Sequence, residues 1–315
     1  MNNVTLAVSK QVLVMALIAA TGLGLKKWGK IDNTLKAPLS NIMMYLVSPI
    51  LVVNSFIRPF VWAEFKGWLV AFAFGVVVHL VFIPLSFVLF PSKKDPKYNG
   101  INRFAAVYSN AGFIGIPLVQ ASFGQGGVFY IIAFVAASGL FIWSAGAKDI
   151  SGGTYKLNLQ KILITPTMVA TYISLAIYLL QIPLGSIVTG AVGYISNLNT
   201  ALSMVFIGLV LSEIDFKGLF SDLRVIKTSL VRLLLYPAIC LALGLVLNLL
   251  FPGSFTDMIV VTLIATSAPA ATATAMMSTI FGNDDVYAGK IVALTTAGSM
   301  LSVPLMVFLG TLLLK

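Results

Sequence analysis

Apolar residues run along this chain in blocks of roughly 20, about the length of helix that crosses a bilayer core. Short clusters of charge, Pro and Gly separate them. The blocks are too long for strands and show no strict alternation, so they predict transmembrane helices. Ten are expected, at 4–25, 36–57, 67–90, 101–123, 126–147, 160–181, 186–212, 226–251, 257–281 and 287–313. The first runs from Lys10 straight into Lys26 and Lys27 with no small-residue cleavage site, so it reads as a span and not as a secretory signal.

Composition agrees with this pattern. Hydrophobic residues make up 59% of the 315 and charged residues only 10%, whereas soluble domains carry about a quarter charged. Such a chain cannot cover itself with polar surface, and it leaves no room for a separate soluble domain. A net charge of +10 in a soluble protein would point to nucleic acid. Here the basic residues collect in alternate connections, and no nucleic-acid partner is expected. With the N-terminus outside, the inner side holds Lys26, Lys27, Lys30, Lys36, Lys93, Lys94, Lys97, Arg103, Lys148, Lys156, Lys161, Lys217, Arg224, Lys227, Arg232 and Lys290. Only Lys10, Arg58, Lys66 and Lys315 stay outside. This bias places the chain in the plasma membrane with both termini extracytoplasmic. The single Cys240 and single His79 supply neither a disulfide framework nor a metal site, and nothing calls for a cofactor.

The chain also repeats itself. Leu39-Ser40-Asn41-Ile42 matches Ile195-Ser196-Asn197-Leu198, and Ser109-Asn110-Ala111 meets Ser267-Ala268-Pro269 at nearly the same offset. The helices holding the second pair both end in Phe-Gly, at Phe123-Gly124 and Phe281-Gly282. Two halves, 1–150 and 151–315, with an odd number of helices each, enter a membrane in opposite orientations. Inverted repeats of this kind place a transport site near the midplane, at broken helices.

Two segments carry the polar chemistry. In the fourth span, 109–117 reads SNAGFIGIP, where Gly112, Gly115 and Pro117 all weaken helix. In the ninth, 265–275 reads ATSAPAATATA, with Ser267, Thr272 and Thr274 around Pro269. Freed backbone groups in hydrocarbon cost several kcal/mol each, so the first segment is expected to be buried, unwound and lining a cavity, with the second helix broken at the corresponding position of the other half. The plainer alternative is a pair of kinked packing helices with glycines for close approach. Asn110 offers a donor and an acceptor, and half-helix N-termini present positive dipole ends to an anion. Asn41, near Pro49 in the second span, and Ser203 in the seventh are further candidates for the substrate path. All ten carboxylates fall in connections or at helix ends, which disfavours a cation as substrate and favours a small organic anion. Coupling to H+ or Na+ stays open. His79, alone at mid-span, reads as an interhelical hydrogen-bonder. A channel would need polar rings along several helices, a sensor a signalling domain, and an enzyme a set of paired catalytic groups; none of these is seen.

SNAGFIGIP followed by Phe-Gly, the Ser-Ala-Pro of the ninth span, and Ser299-Met300-Leu301-Ser302-Val303-Pro304 in the tenth together resemble the auxin efflux carrier family. That family includes plant PIN-formed carriers and bacterial malate and malonate permeases. The resemblance implies a fold like that of bile-acid transporters and sodium/proton antiporters. Helices one, two, six and seven would form a scaffold, through which a homodimer would assemble. Helices three to five and eight to ten would form a moving transport domain, with four and nine crossing at the site. Asn110, Pro117 and Pro269 match the crossover positions. The connection at 148–160 is short where plant carriers keep a long loop, so the resemblance is to bacterial permeases of carboxylates such as malate more than to carriers of auxin-like indole acids.

Overall fold

The computed structural model describes residues 3–93, 95–212 and 222–314, and these are helical apart from connections and one isolated bridge. Lys94, Glu213, Asp215, Lys217 and Lys315, all placed above in connections or at a terminus, lie outside the described residues. Helix α1 spans Asn3–Lys27. Helices α2 (Lys36–Ile42) and α3 (Ser48–Phe56) form one continuous rod, followed by α4 (Trp62–Leu89) and α5 (Pro96–Val107). Next come α6 (Ile116–Phe141), α7 (Ala147–Ile150), the short α8 (Leu159–Leu163), α9 (Pro166–Leu180) and α10 (Ser186–Leu211). The last are α11 (Leu223–Leu230), α12 (Tyr236–Leu250), α13 (Thr256–Ser267), α14 (Ala273–Ile280) and α15 (Asp285–Leu313).

Seven helical stretches among the described residues are long and apolar enough to cross a membrane, and Pro166–Leu180 and Thr256–Ser267 are shorter apolar helices. The expected intervals 101–123 and 257–281 are each divided by a break. The outer surface is itself apolar: Leu17 is 71% exposed and Leu301 81%. Water would penalise that surface and lipid would not, so this is a multi-pass membrane protein.

The prolines explain several local features. Wide π-helical turns at Met43–Val47, Ala111–Gly115 and Val231–Leu235 are each followed, two residues on, by Pro49, Pro117 and Pro237. Proline offers no N–H to the carbonyl four residues back, and its ring collides with that carbonyl. Widening the preceding turn moves the carbonyl aside, and the residue before each proline bonds five residues back instead: Ser48 to Met43, Ile116 to Ala111, Tyr236 to Val231. One expectation is corrected here. The segment 109–117 is not unwound throughout: the loss of helix is confined to Tyr108–Asn110, and Pro117 sits in the first turn of α6.

The described carboxylates gather at helix starts. Asp222 and Asp284 cap α11 and α15 by accepting from Arg224 N (2.9 Å) and Tyr287 N (2.8 Å), while Glu64, Asp257 and Asp285 occupy first turns. There they meet the positive end of the helix dipole. Asp149 instead lies in α7, where it takes a two-pronged hydrogen bond from Arg103 at 2.7 and 2.6 Å.

Two packed groups emerge. Helices α1, α2–α3, α9 and α10 pack together, and α4–α7 pack with α11–α15. Along the α1–α10 seam the backbones nearly touch. A Cβ on Gly22 would lie 2.4 Å from Val205 O, and one on Gly208 would lie 2.0 Å from Ala19 O. Small residues permit that approach where no hydrophobic force draws helices together. The two groups meet where α1 contacts α6 and α15.

Candidate functional site

The two breaks find each other. After α5 the chain turns extended at Tyr108 (φ −97°, ψ 120°), and after α13 it does so at Ala268 (φ −59°, ψ 151°). Asn110 N donates to Pro269 O at 2.8 Å and Ala271 N donates to Tyr108 O at 2.9 Å, so Ser109 and Ala270 form a single antiparallel bridge. A third bond ties the knot to α15, from Ala270 N to Thr295 Oγ1 at 3.2 Å. Pro269 has no N–H to leave unpaired, and its carbonyl is used across the bridge. Backbone groups that two interrupted helices would leave bare are thus satisfied by each other, the condition for irregular backbone deep in a membrane protein.

Several side chains at the breaks have no hydrogen-bond partner in the protein. They are Ser109 Oγ, Asn110 Nδ2, Ser267 Oγ and Thr274 Oγ1. Asn110 is 6% exposed, and Ser267 and Thr274 are wholly buried. A desolvated polar atom left unpaired costs about 1–3 kcal/mol, so four of them in the residues around the two breaks are costly. Two helices also start at this point. The π-helical turn begins at Ala111 behind Asn110, and α14 begins at Ala273 behind Thr272; neither start has a side-chain cap. Helix N-termini carry the positive dipole ends.

The opposite, negative ends are met by a cation. Arg232, fully buried in the π-helical turn after α11, donates from Nη1 to Ala106 O (2.9 Å) and Val107 O (3.1 Å). Its Nη2 donates to Thr266 O. Those carbonyls lie at the C-terminal ends of α5 and α13. This corrects the sequence assignment of Arg232 to an inner connection. Arg103 is corrected likewise: it is 5% exposed, within α5, and bonded to Asp149 and to Phe90 O.

The remaining candidates are placed as follows. The Gly112 carbonyl faces Asn199 Nδ2 of α10 at 3.5 Å, and a Cβ there would meet open space. At Gly115 a Cβ would press on Ile131 Cδ1 at 3.0 Å and lie 3.6 Å from Ala265 Cα, so this glycine lets the π-helical turn pack against α13. Pro117 is buried, and Thr272 is half-buried at the start of α14. Asn41 is not brought to the breaks: it is exposed on α2. The asparagine of that rod which reaches α10 is Asn54, donating to Ser196 Oγ at 2.9 Å. Ser203 is buried, but its hydroxyl is spent on Asn199 O and Thr200 O of its own helix. His79 is fully partnered, with Nδ1 against Gly75 O (2.7 Å) and Nε2 against the Ser138 hydroxyl (2.9 Å), and it stacks on Phe141 and Tyr108.

Arg232, Asn199 and Thr295 escaped sequence reasoning. Arg232 alone left a trace, as a charge with leucines and valine on both sides; nothing in the chain marks which of its threonines or asparagines faces a break. Two cavities lie apart from Asn110, the first of them reaching the break at Tyr108. One of about 610 Å³ is lined by Val107, Tyr108, Arg103, Asp149, Lys148 and Asn283, among others. Another of about 520 Å³ is lined by Asn54, Arg58, Glu64 and Gln125 at the far end of α3.

A buried polar centre at two interrupted helices, inside a multi-pass helical membrane protein, defines a membrane transport protein. The chain matches the profile of the membrane transport protein family over residues 7–157 and again over 153–307, and it belongs to that family, which comprises the auxin efflux carriers and their PIN-like relatives. It is similar to an uncharacterized transporter of Methanothermobacter thermautotrophicus, 27% identical over 205 residues, which are 64% of this chain and 65% of that protein. It is also similar to the uncharacterized transporter MJ1031 of Methanocaldococcus jannaschii, 24% identical over 306 residues, covering 93% of this chain and 96% of the other.

Proposed function

We propose that this protein is a secondary carrier of small organic anions, a mono- or dicarboxylate such as malate, which it moves by an elevator-type shift of one helix group against the other. The observation that carries this reading is the paired break. There the Asn110 amide nitrogen and the hydroxyls of Ser109, Ser267 and Thr274, all within a few residues of the bridge along the chain, are buried without a partner, and two helices begin without a side-chain cap. A carboxylate accepts from all of these, and no described carboxylate lies beside them to repel it. Gly112, Gly115, Pro117, Pro269 and Thr272 shape the two segments.

In this reading ten transmembrane helices form two inverted repeats, 1–150 and 151–315. The matching left-handed glycines Gly124 (φ 61°) and Gly282 (φ 68°), one after each broken segment, support the repeat. Contacts between connections support the topology. Arg224 pairs with Asp95 at 3.0 Å and Asn283 Nδ2 reaches Ile150 O on one side. On the other, Val61 N bonds the Tyr178 hydroxyl and Gln181 Nε2 faces Arg58 O. The basic connections on the first side make it cytoplasmic, with both termini outside the plasma membrane. The group α1, α2–α3, α9 and α10 is the scaffold and the dimer surface; α4–α7 with α11–α15 is the moving part.

The test is uptake into proteoliposomes across a panel of labelled carboxylates, with imposed proton and sodium gradients. Saturable uptake of one or more carboxylates, lost on Asn110→Ala, is expected. Uptake of organic cations in preference to carboxylates would overturn the reading. A cysteine at either terminus should react with an impermeant reagent in intact cells; reaction only after permeabilisation would reverse the orientation.

A further inference from the structure

We infer that Arg232 is a resident cation that closes the carbonyl cage at the two breaks, in the place where a carrier of this architecture would otherwise bind sodium. In inverted-repeat carriers, unwound carbonyls and half-helix C-terminal ends are the groups that coordinate a coupling ion. Here those groups are already engaged. Ala106 O and Val107 O end α5, Thr266 O ends α13, and all three accept from the one guanidinium. The charge arithmetic fits. Each helix end carries roughly half a negative charge, so two ends together offset about one positive charge. Among the described residues Arg232 makes no hydrogen bond to a carboxylate, and a wholly buried cation without compensation would be costly. The two helix ends are that compensation. A planar fork bridging two helices also holds them in register, which a sodium ion arriving and leaving would not. Arg232 is therefore a positioning residue: it acts on the substrate through the shape of the breaks, and its charge travels with them, so sodium is not needed at this point.

The experiment has a substrate-free arm that stands apart from the proposed carboxylate activity, and an uptake arm that rests on it. Thermal unfolding of the purified protein is followed while sodium chloride replaces choline chloride at constant ionic strength. Wild type is expected to be indifferent to sodium. Arg232→Ala is expected to unfold at lower temperature and to recover at least half of the loss in about 50 mM guanidinium, which refills the cage as a ligand, while choline does nothing. Arg232→Lys, which keeps the charge but loses the fork, is expected to fall in between. If Arg232→Ala cannot be purified, the wild-type sodium titration and Arg232→Lys decide. In proteoliposomes, wild-type malate uptake is expected to be unchanged when sodium is replaced. Saturable stabilisation of wild type by sodium would overturn the inference, as would sodium-driven uptake, or an Arg232→Met variant with wild-type stability. A chain that takes up no carboxylate but behaves as described in the unfolding arm would sink the proposed substrate and leave Arg232 in its role.

Discussion

Replacing Asn110 with alanine separates a binding group from a structural one. In the folded protein the Asn110 backbone does the structural work: its N–H bonds Pro269 O, and its carbonyl accepts from Ile114 N and Gly115 N. All of this survives truncation of the side chain. The amide Nδ2 is buried and makes no bond within the protein, so Asn110→Ala removes an unpaired donor and no protein contact through it. Truncating this buried side chain loses some packing, but it also removes a buried unpaired donor that costs about 1–3 kcal/mol, so the two effects oppose each other and the expected stability change is small. Binding is a different matter. A hydrogen bond to a charged group is worth about 1.5–3 kcal/mol, which is roughly ten- to a hundred-fold in affinity. Titration calorimetry or a thermal-shift series with the best carboxylate would measure the affinity, and unliganded unfolding would measure the stability. A variant that binds like wild type yet unfolds several degrees earlier would refute the argument and make Asn110 a helix cap.

Other perturbations read other parts of the structure. Gly208→Val forces a side chain into the Ala19 carbonyl and should cost about 1–3 kcal/mol as overpacking; Gly24→Ala, on the same helix as Gly22 but facing open space, is the control and should be near neutral. Asp149→Asn leaves the buried Arg103 guanidinium short of its counter-charge and should cost about 3 kcal/mol in unfolding experiments; an unchanged midpoint would show that Asp149 is dispensable. Hydrogen bonds from Arg224 hold the Asp222 carboxyl below its ordinary value of 3.8, so its contribution is complete above that value and is lost as pH falls through the lower folded one. Midpoints measured from pH 6 to 3 should accordingly fall less steeply for Asp222→Asn than for wild type. His79→Gln should leave uptake close to wild type, because both ring nitrogens serve interior hydrogen bonds; loss of the pH dependence of uptake in a folded variant would contradict this.

The chain by itself determined that the protein lives in lipid, because 10% charged residues cannot clothe a soluble surface and blocks of about 20 apolar residues match a bilayer. It also determined where helices are weak, because glycine and proline act on the backbone locally. That is why the breaks fall within or beside SNAGFIGIP and ATSAPAATATA. What it did not determine is which weakness becomes a break and which a widened turn. Pro117 sits behind a π-helical turn and Pro269 sits in a true interruption, although both are prolines among small residues. The difference is made by partners distant in sequence: Pro269 O finds Asn110 N, and Ala270 N finds Thr295 of α15. Facing is equally a tertiary property. Asn41 and Asn199 look alike as polar residues in apolar helices, yet one points outward and the other reaches Gly112 O. Arg232 is the clearest case. Counting charges by side placed it in a connection, since near a helix end a lone arginine is ordinarily solvated. Only the meeting of two helix C-termini, more than a hundred residues from Arg232 in one case and 34 in the other, creates the carbonyl cage that makes its burial tolerable.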